Sequence, residues 1–183
     1  NGVHECDLVI LTLGSVPNSE LAEEAGIELT EENAVKVNNY METNIRDIYA
    51  AGDCASHYHI VKEKNVYIPL GTTANKQGRI AGNNMAGGRE AFKGIVGTAI
   101  TKIINMGVAR TGLSKKEAAA EGIMAEEVIV DSMDLARYYP EHNPVKVKLI
   151  GSKESKKLIG AQIIGQNSFA KRIDVLALAV QNG

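Results

Sequence analysis

A chain of 183 residues that is 44% hydrophobic is long enough to bury a sizeable core in one or two domains. Lys+Arg 20 against Asp+Glu 22 leaves a net charge of −2, without the clustered basic surface of a nucleic-acid binder. No apolar run approaches the ~20 residues of a membrane span, and no basic segment with an apolar core behind it opens the chain as a secretory signal does.

The opening Asn1-Gly2-Val3 lacks Met and leads into Asp7–Leu13, a continuous apolar run. Such a run predicts a strand buried on both faces, as in a parallel sheet, and the expectation is a chain that begins inside a longer protein. Gly14-Ser15-Val16-Pro17-Asn18 supplies turn residues, and Ser19 is placed to cap a short helix to Ala25, closed by Gly26. Short strands are expected at Val35–Val37 and Ile48–Ala50, and a helix from about Thr73 to Met85. Ala86-Gly87-Gly88 marks a domain boundary.

Beyond about Phe92 the grammar changes. Thr98–Ile104 and Val108–Thr111 read as strands around an Asn105-Met106-Gly107 turn. Ser114-Lys115-Lys116-Glu117 is a capping box before an Ala-rich helix that Gly122 ends. Val128–Asp131, Val145–Ile150 and Leu158–Ile164 are further strands, the last two joined by the polar turn Gly151–Lys157. From Ser168 to Gln181 the spacing predicts an amphipathic helix with Ile173, Leu176, Ala177 and Val180 on one face. The class is α/β passing into α+β, the second part built on an antiparallel sheet.

Cys6 and Cys54 are too few for a disulfide framework and too far apart for a CxxC motif. Each reads as a small buried apolar residue, and a reducing cytoplasm suits both. His57 and His59 form an i,i+2 pair with no third ligand nearby, so they read as solvated loop residues and no metal is expected. His4 and His142 are isolated.

Thr43-Asn44-Ile45-Arg46-Asp47-Ile48-Tyr49-Ala50-Ala51-Gly52-Asp53 is the most informative stretch. A short strand delivers a Gly, where backbone approaches a ligand closely. An Asp follows at the carboxyl end of the strand, where open α/β sheets bind ligands. On the residues alone this is also an ordinary Gly-Asp turn. The stretch resembles the second flavin motif, T-x-x-x-x-I-Y-A-x-G-D, of the pyridine nucleotide–disulfide oxidoreductases. The resemblance implies that Asp53 holds the ribityl chain of FAD, with Thr43, Ile48, Tyr49, Ala50 and Gly52 around it. About twenty residues on, Ile68-Pro69-Leu70-Gly71-Thr72-Thr73-Ala74 resembles the family's helix start aimed at the flavin, which brings in Thr72, Thr73 and Ala74. Free amides and a positive dipole end suit a flavin edge that gains negative charge.

Gly52-Asp53-Cys54-Ala55, Ala109-Arg110-Thr111-Gly112-Leu113-Ser114, Tyr138-Tyr139-Pro140, Gly160–Gly165 and Lys171–Val175 are similar to the CoA-disulfide reductase and NADH oxidase group of that family. The resemblance implies that residues 1–25 end an NAD(P)H-binding domain, with Gly14 at its closing turn near the nicotinamide. Residues 26–88 would complete an FAD domain, and 89–183 would form a dimerisation domain whose end lies beyond Gly183. The redox cysteine would lie upstream of Asn1; Cys54 does not match it. Tyr138 and Tyr139 read by themselves as a surface aromatic pair before a proline turn. The resemblance makes them catalytic, one reaching the redox sulfur of a partner subunit, although Glu141 stands where the group often has Gly. Asn75 falls where a CoA-contacting side chain is expected.

The resemblance therefore predicts a fragment of a cytoplasmic, homodimeric flavoprotein. It would pass hydride from NAD(P)H through FAD to a cysteine-based centre that reduces CoA disulfide or a related disulfide. An NADH oxidase or peroxidase acting on oxygen species is the alternative within the family. A dimerisation module without a ligand is the alternative outside it.

Overall fold

The computed structural model describes residues 2–166 and 169–183. In its first half, α1 (Glu20–Glu24) is followed by a hairpin of β1 (His57–His59) and β2 (Lys64–Val66), then by α2 (Gly71–Met85). The second half runs β3 (Ala99–Ile103), β4 (Met106–Gly112), α3 (Lys115–Ala120), β5 (Ala125–Met133), β6 (Pro144–Ser152), β7 (Leu158–Gly165) and α4 (Phe169–Asn182). The last five strands form one antiparallel sheet in the order β3-β4-β7-β6-β5.

The expected strand at Asp7–Leu13 does not form. Leu8, Val9, Ile10 and Leu11 are exposed and the segment has no regular structure. A strand apolar on both faces needs neighbours on each side and covering layers above and below, and no described residue supplies them. Cys6 is exposed with the segment, so it is not the buried residue expected, and Cys54 is half-buried. Asn1 and Ser168 lie outside the described residues.

Ser19 stands at the start of α1 but does not cap it. Its hydroxyl donates to the Asn33 carbonyl at 2.6 Å and pins the following loop instead. Val35 and Tyr49 make isolated bridges where short strands were expected. Val35 donates to the Cys54 carbonyl and accepts from Ser56, so the 34–37 segment lies beside 54–56. Val35, Val37, Met41, Ala55, Ile80, Ala81 and Phe92 form the core of this half, with Tyr49 and Ala50 packed on it.

His57 and His59 are not loop residues. They lie in β1, both 1% exposed, in a hairpin that the polar composition of 57–66 concealed. Among the described residues no cluster suited to a metal ion is present, and no helix is long and apolar enough to cross a membrane.

In the second half, α4 lies across β4 and β7, where Ala109, Val145, Ala161, Ile163 and Ile173 form a core. Gly107 permits this approach: a Cβ there would collide with the Phe169 ring. The β3–β4 turn falls at Ile104-Asn105, with Ile104 at φ 55, so Met106 and Gly107 belong to β4 and not to the expected turn. The expected capping box forms, with Ser114 Oγ accepting from the Glu117 amide and the Glu117 carboxylate accepting from the Ser114 amide.

The two halves are joined near β1. Tyr58 and Ile60 exchange backbone hydrogen bonds with Ile95. Val61 packs on a small core of Leu113, Ala118, Ile150 and Ile159. Lys62 and Lys64 converge on Glu121 at 3.0 and 2.5 Å.

Candidate functional site

The Thr43–Asp53 segment is held from within. Thr43 Oγ1 donates to the carbonyls of Ile45 and Ile48, and its amide donates to the Ile48 carbonyl, which closes the turn ahead of Tyr49. Tyr49 pairs with Glu42, and Ala50 donates to the Met41 carbonyl. The chain then turns at Gly52, whose φ of 87° is the left-handed region that glycine alone adopts freely.

Gly52 rests on the first turn of α2. A Cβ built on Gly52 would touch the Ala74 Cβ at 3.6 Å. The Gly52 amide donates to Gln77 Oε1 at 3.0 Å, and Gln77 Nε2 donates to the Ser56 carbonyl at 3.0 Å. Gln77 is fully buried. The structure therefore brings the two sequence motifs together, and Gln77 is the residue that locks them. Sequence reasoning misses it, yet a signal exists: Thr73, Gln77, Ile80, Ala81 and Asn84 recur at helical spacing, which puts Gln77 on the same buried stripe as Ile80 and Ala81.

Asp53 is exposed beside this joint, and its carboxylate has no hydrogen-bond partner among the described residues. At the start of α2, Leu70 is extended and offers no side-chain cap. Thr73 and Ala74 donate to the Leu70 carbonyl, which leaves the amides of Gly71 and Thr72 without an intrahelical acceptor. No acidic side chain occupies the first turn. A carboxylate suited to hydroxyl groups thus sits near a helix end suited to negative charge. These are features that fit a flavin nucleotide.

Thr72 is exposed at the helix start, while Thr73 is buried and Ala74 faces Gly52. Ile48 is partly exposed at the turn. Asn75 is exposed on the helix surface. Gly14 lies in the uncovered N-terminal segment, at φ 99°, with nothing near its Cα on the side where a Cβ would stand. Tyr138 and Tyr139 lie on the β5–β6 loop, their rings 5.2 Å apart and both exposed. No hydrogen bond links that loop to either flavin-like motif among the described residues.

Two histidines stand behind the joint. Burial lowers the pKa of His57, and neither of its ring nitrogens meets a hydrogen-bond partner, although the Gln77 side chain and Ile68 carbonyl lie close. Burial, with help from Lys62, lowers His59 to about 4; its Nδ1 accepts from the Lys62 amide at 3.3 Å, which fixes the neutral tautomer. A groove of about 910 Å³ runs from Thr72, Thr73 and Lys76 past Gly94 and Gly97 to Asp174 on α4. It touches the helix start but not Asp53.

Comparison with known proteins agrees with this geometry. Residues 1–78 match the pyridine nucleotide-disulphide oxidoreductase family, and residues 98–183 match its dimerisation domain. The chain is 36% identical to the CoA-dependent NAD(P)H sulfur oxidoreductase of Pyrococcus furiosus, covering 100% of this chain and 41% of that protein. Among solved structures, an NAD-dependent persulfide reductase from A. fulgidus superposes with a TM-score of 0.88 at 44% identity, covering 91% of this chain and 31% of that one. Reduced CoADR-RHD from Bacillus anthracis gives 0.90 at 38% identity, covering 96% and 32%. The chain thus spans well under half the length of these relatives. With the Gly52–Ala74 joint in its first half and the α4-covered antiparallel sheet in its second, it belongs to the pyridine nucleotide–disulfide oxidoreductase family.

Proposed function

We propose that, in the intact protein, this chain closes an FAD site and pairs two subunits of an enzyme that uses NAD(P)H to reduce a small disulfide or persulfide of the CoA type. The observation that carries the reading is the joint that seats Gly52 on the first turn of α2, with the next residue, Asp53, unpartnered among the described residues and the amides of Gly71 and Thr72 free at the start of the same helix. Bound FAD supplies the hydride-accepting and electron-relaying chemistry that no side chain of this chain offers.

The residues have separate tasks. Asp53 accepts hydrogen bonds from the ribityl hydroxyls, and Gly52 lets backbone come close. Thr43, Ile48, Tyr49 and Ala50 shape the turn that presents both. The α2 start stabilises negative charge on the flavin edge, with Thr72 outermost and Thr73 and Ala74 packing the helix in place. Residues 1–25 belong to the NAD(P)H domain, with Gly14 near the nicotinamide, 26–88 to the FAD domain and 89–183 to the dimerisation domain. Asn75 contacts the CoA portion of the substrate. One of Tyr138 and Tyr139 donates a hydrogen bond to the thiolate that develops on the partner subunit.

The sulfur-directed names of the relatives favour a sulfur acceptor over oxygen. The match of residues 98–183 to a dimerisation domain favours a homodimer. Two free thiols suit a reducing, cytoplasmic setting.

Asp53→Ala in the full-length protein tests the reading. Losing hydrogen bonds to a charged acceptor costs roughly 1.5–3 kcal/mol, so flavin content after gel filtration should fall well below that of the parent. Parental flavin content would remove Asp53 from the site. Rapid oxidase turnover with oxygen and none with a disulfide would replace the proposed acceptor.

A further inference from the structure

Residues 134–143, which join β5 to β6, are shut at their base by three side chains. Asp134, buried, accepts on Oδ1 from the amides of Leu135 at 2.8 Å and Asn143 at 2.5 Å. Its Oδ2 accepts from Asn143 Nδ2 at 3.3 Å, and its own amide donates to the Asn143 carbonyl at 2.9 Å. These bonds, that of the Asn143 amide foremost, hold the Asp134 carboxyl below its usual range. Arg172 then reaches over from α4, and its Nη2 donates to the carbonyls of Met133 at 2.7 Å and Asp134 at 2.9 Å.

The outer part of the loop is also tied. Asn143 Nδ2 donates to the Glu141 carbonyl at 2.8 Å, and the Tyr139 amide donates to Ala136 at 2.9 Å. His142 approaches the Tyr139 carbonyl through Nδ1 at 2.6 Å. A carbonyl only accepts, so that nitrogen carries the proton. The result is a braced arch that keeps two aromatic rings in solvent, Tyr138 at 85% and Tyr139 at 51% exposure. Surface loops usually leave their backbone to water and move. Ordering this one costs conformational entropy without burying either ring, so within this chain the bracing gains the rings nothing.

We propose that Arg172, acting through the Asp134–Asn143 latch, is a positioning residue that fixes the tyrosine pair for the sulfur step of the intact enzyme. The proposal rests on the catalytic reading of Tyr138 and Tyr139. A donor to a developing thiolate acts only if it is held in place before charge appears, because reorganisation at that moment forfeits the benefit. The loop carries the donor, and α4, packed across β4 and β7, is the rigid element that holds the loop.

The test uses the full-length flavoprotein with R172Q, R172K, N143A and the two Tyr→Phe variants. Stopped flow separates flavin reduction by NAD(P)H from reoxidation by disulfide, and amide hydrogen exchange reports on residues 134–143. R172Q should speed exchange in the loop and slow the disulfide step about tenfold, in line with the sensitivity of positioned groups to small displacements. Flavin reduction should stay at the parental rate, and R172K, which keeps a donor but not the fork, should recover part of the loss. N143A leaves α4 intact and should act in the same direction, which covers the case in which R172Q does not fold. Unchanged loop exchange in both R172Q and N143A overturns the latch. A parental disulfide step in R172Q beside a slow Tyr→Phe variant overturns the positioning role alone. Parental turnover in both Tyr→Phe variants overturns the tyrosine reading and the positioning role with it.

Discussion

His59 shows how one side chain sets a pH limit. It is 1% exposed between the β1–β2 hairpin and the dimerisation sheet, and burial keeps its pKa at about 4, against 6.5 when free. Between those values the unfolded chain binds a proton that the folded chain refuses, so stability rises with pH across that interval. It is fully present above 6.5 and is lost as pH falls toward 4; His57, also lowered by burial, adds in the same direction. Glu117 works in a separate window. Burial opposes its ionisation, but hydrogen bonds from Arg110 and Ser114 win and hold it at about 2. Its contribution is present above 4.5 and disappears only as pH drops from there toward 2. Urea midpoints should therefore hold near pH 7.5 and fall from about pH 6.5 to about pH 5, and His59→Gln should flatten part of the slope. A midpoint that does not move over this interval would show that the buried ring is not titrating.

At the scale of elements, α3 illustrates local sequence doing tertiary work. The helix is only six residues long, Lys115–Ala120, too short to stand on propensity. The capping box satisfies its first amides, and the same Glu117 carboxylate takes a hydrogen bond from Arg110 on β4 at 2.6 Å. Ala118 on its inner face is fully buried against Leu113, Ile150 and Ile159. Ser114→Ala removes an acceptor for the Glu117 amide, and caps of this type are worth about 1 kcal/mol. Chemical denaturation should show a loss of about that size with an unchanged denaturant slope. A loss too small to measure would mean that Arg110 and the Ala118 contact position α3 without the cap.

At the scale of the whole molecule, α4 covers one face of the sheet, while α3 reaches the other only at its Ile150 end. α4 lies over Ala109, Ala161 and Ile163. The opposite face presents Val108, Ile129 and Ile164 among Arg110, Gln162, Lys146 and Lys148, around a groove of about 450 Å³. A solvated antiparallel face normally carries polar residues, so this mixed face is the part of the dimerisation domain most suited to a second copy, in the two-fold arrangement commonest among oligomers. Light scattering of the full-length protein at micromolar concentration should give a dimer, and Ile164→Lys should shift it toward monomer. A parental protein that is strictly monomeric would refute the pairing.

The Thr43–Asp53 and Leu70–Ala74 motifs are legible through their resemblance to a known family, whereas the strands at Val145–Ile150 and Leu158–Ile164 and the Ser114–Glu117 box are legible because each depends on neighbours a few residues away. Local periodicity and capping set them whatever surrounds them. The β1–β2 hairpin is not legible: His57 and His59 read as polar loop residues, and they are buried only because Ile95 and the Gly52–Gln77 joint close around β1. Asp7–Leu13 shows the reverse, an apolar run that reads as a strand but becomes one only beside partners no described residue supplies. The family was thus carried by the sequence itself. Contacts between residues far apart in the chain decided that Gly52 meets Ala74, that Gln77 locks them and that Arg172 braces the tyrosine loop, because hydrogen-bond partners twenty or more positions away leave no periodic trace in a single sequence.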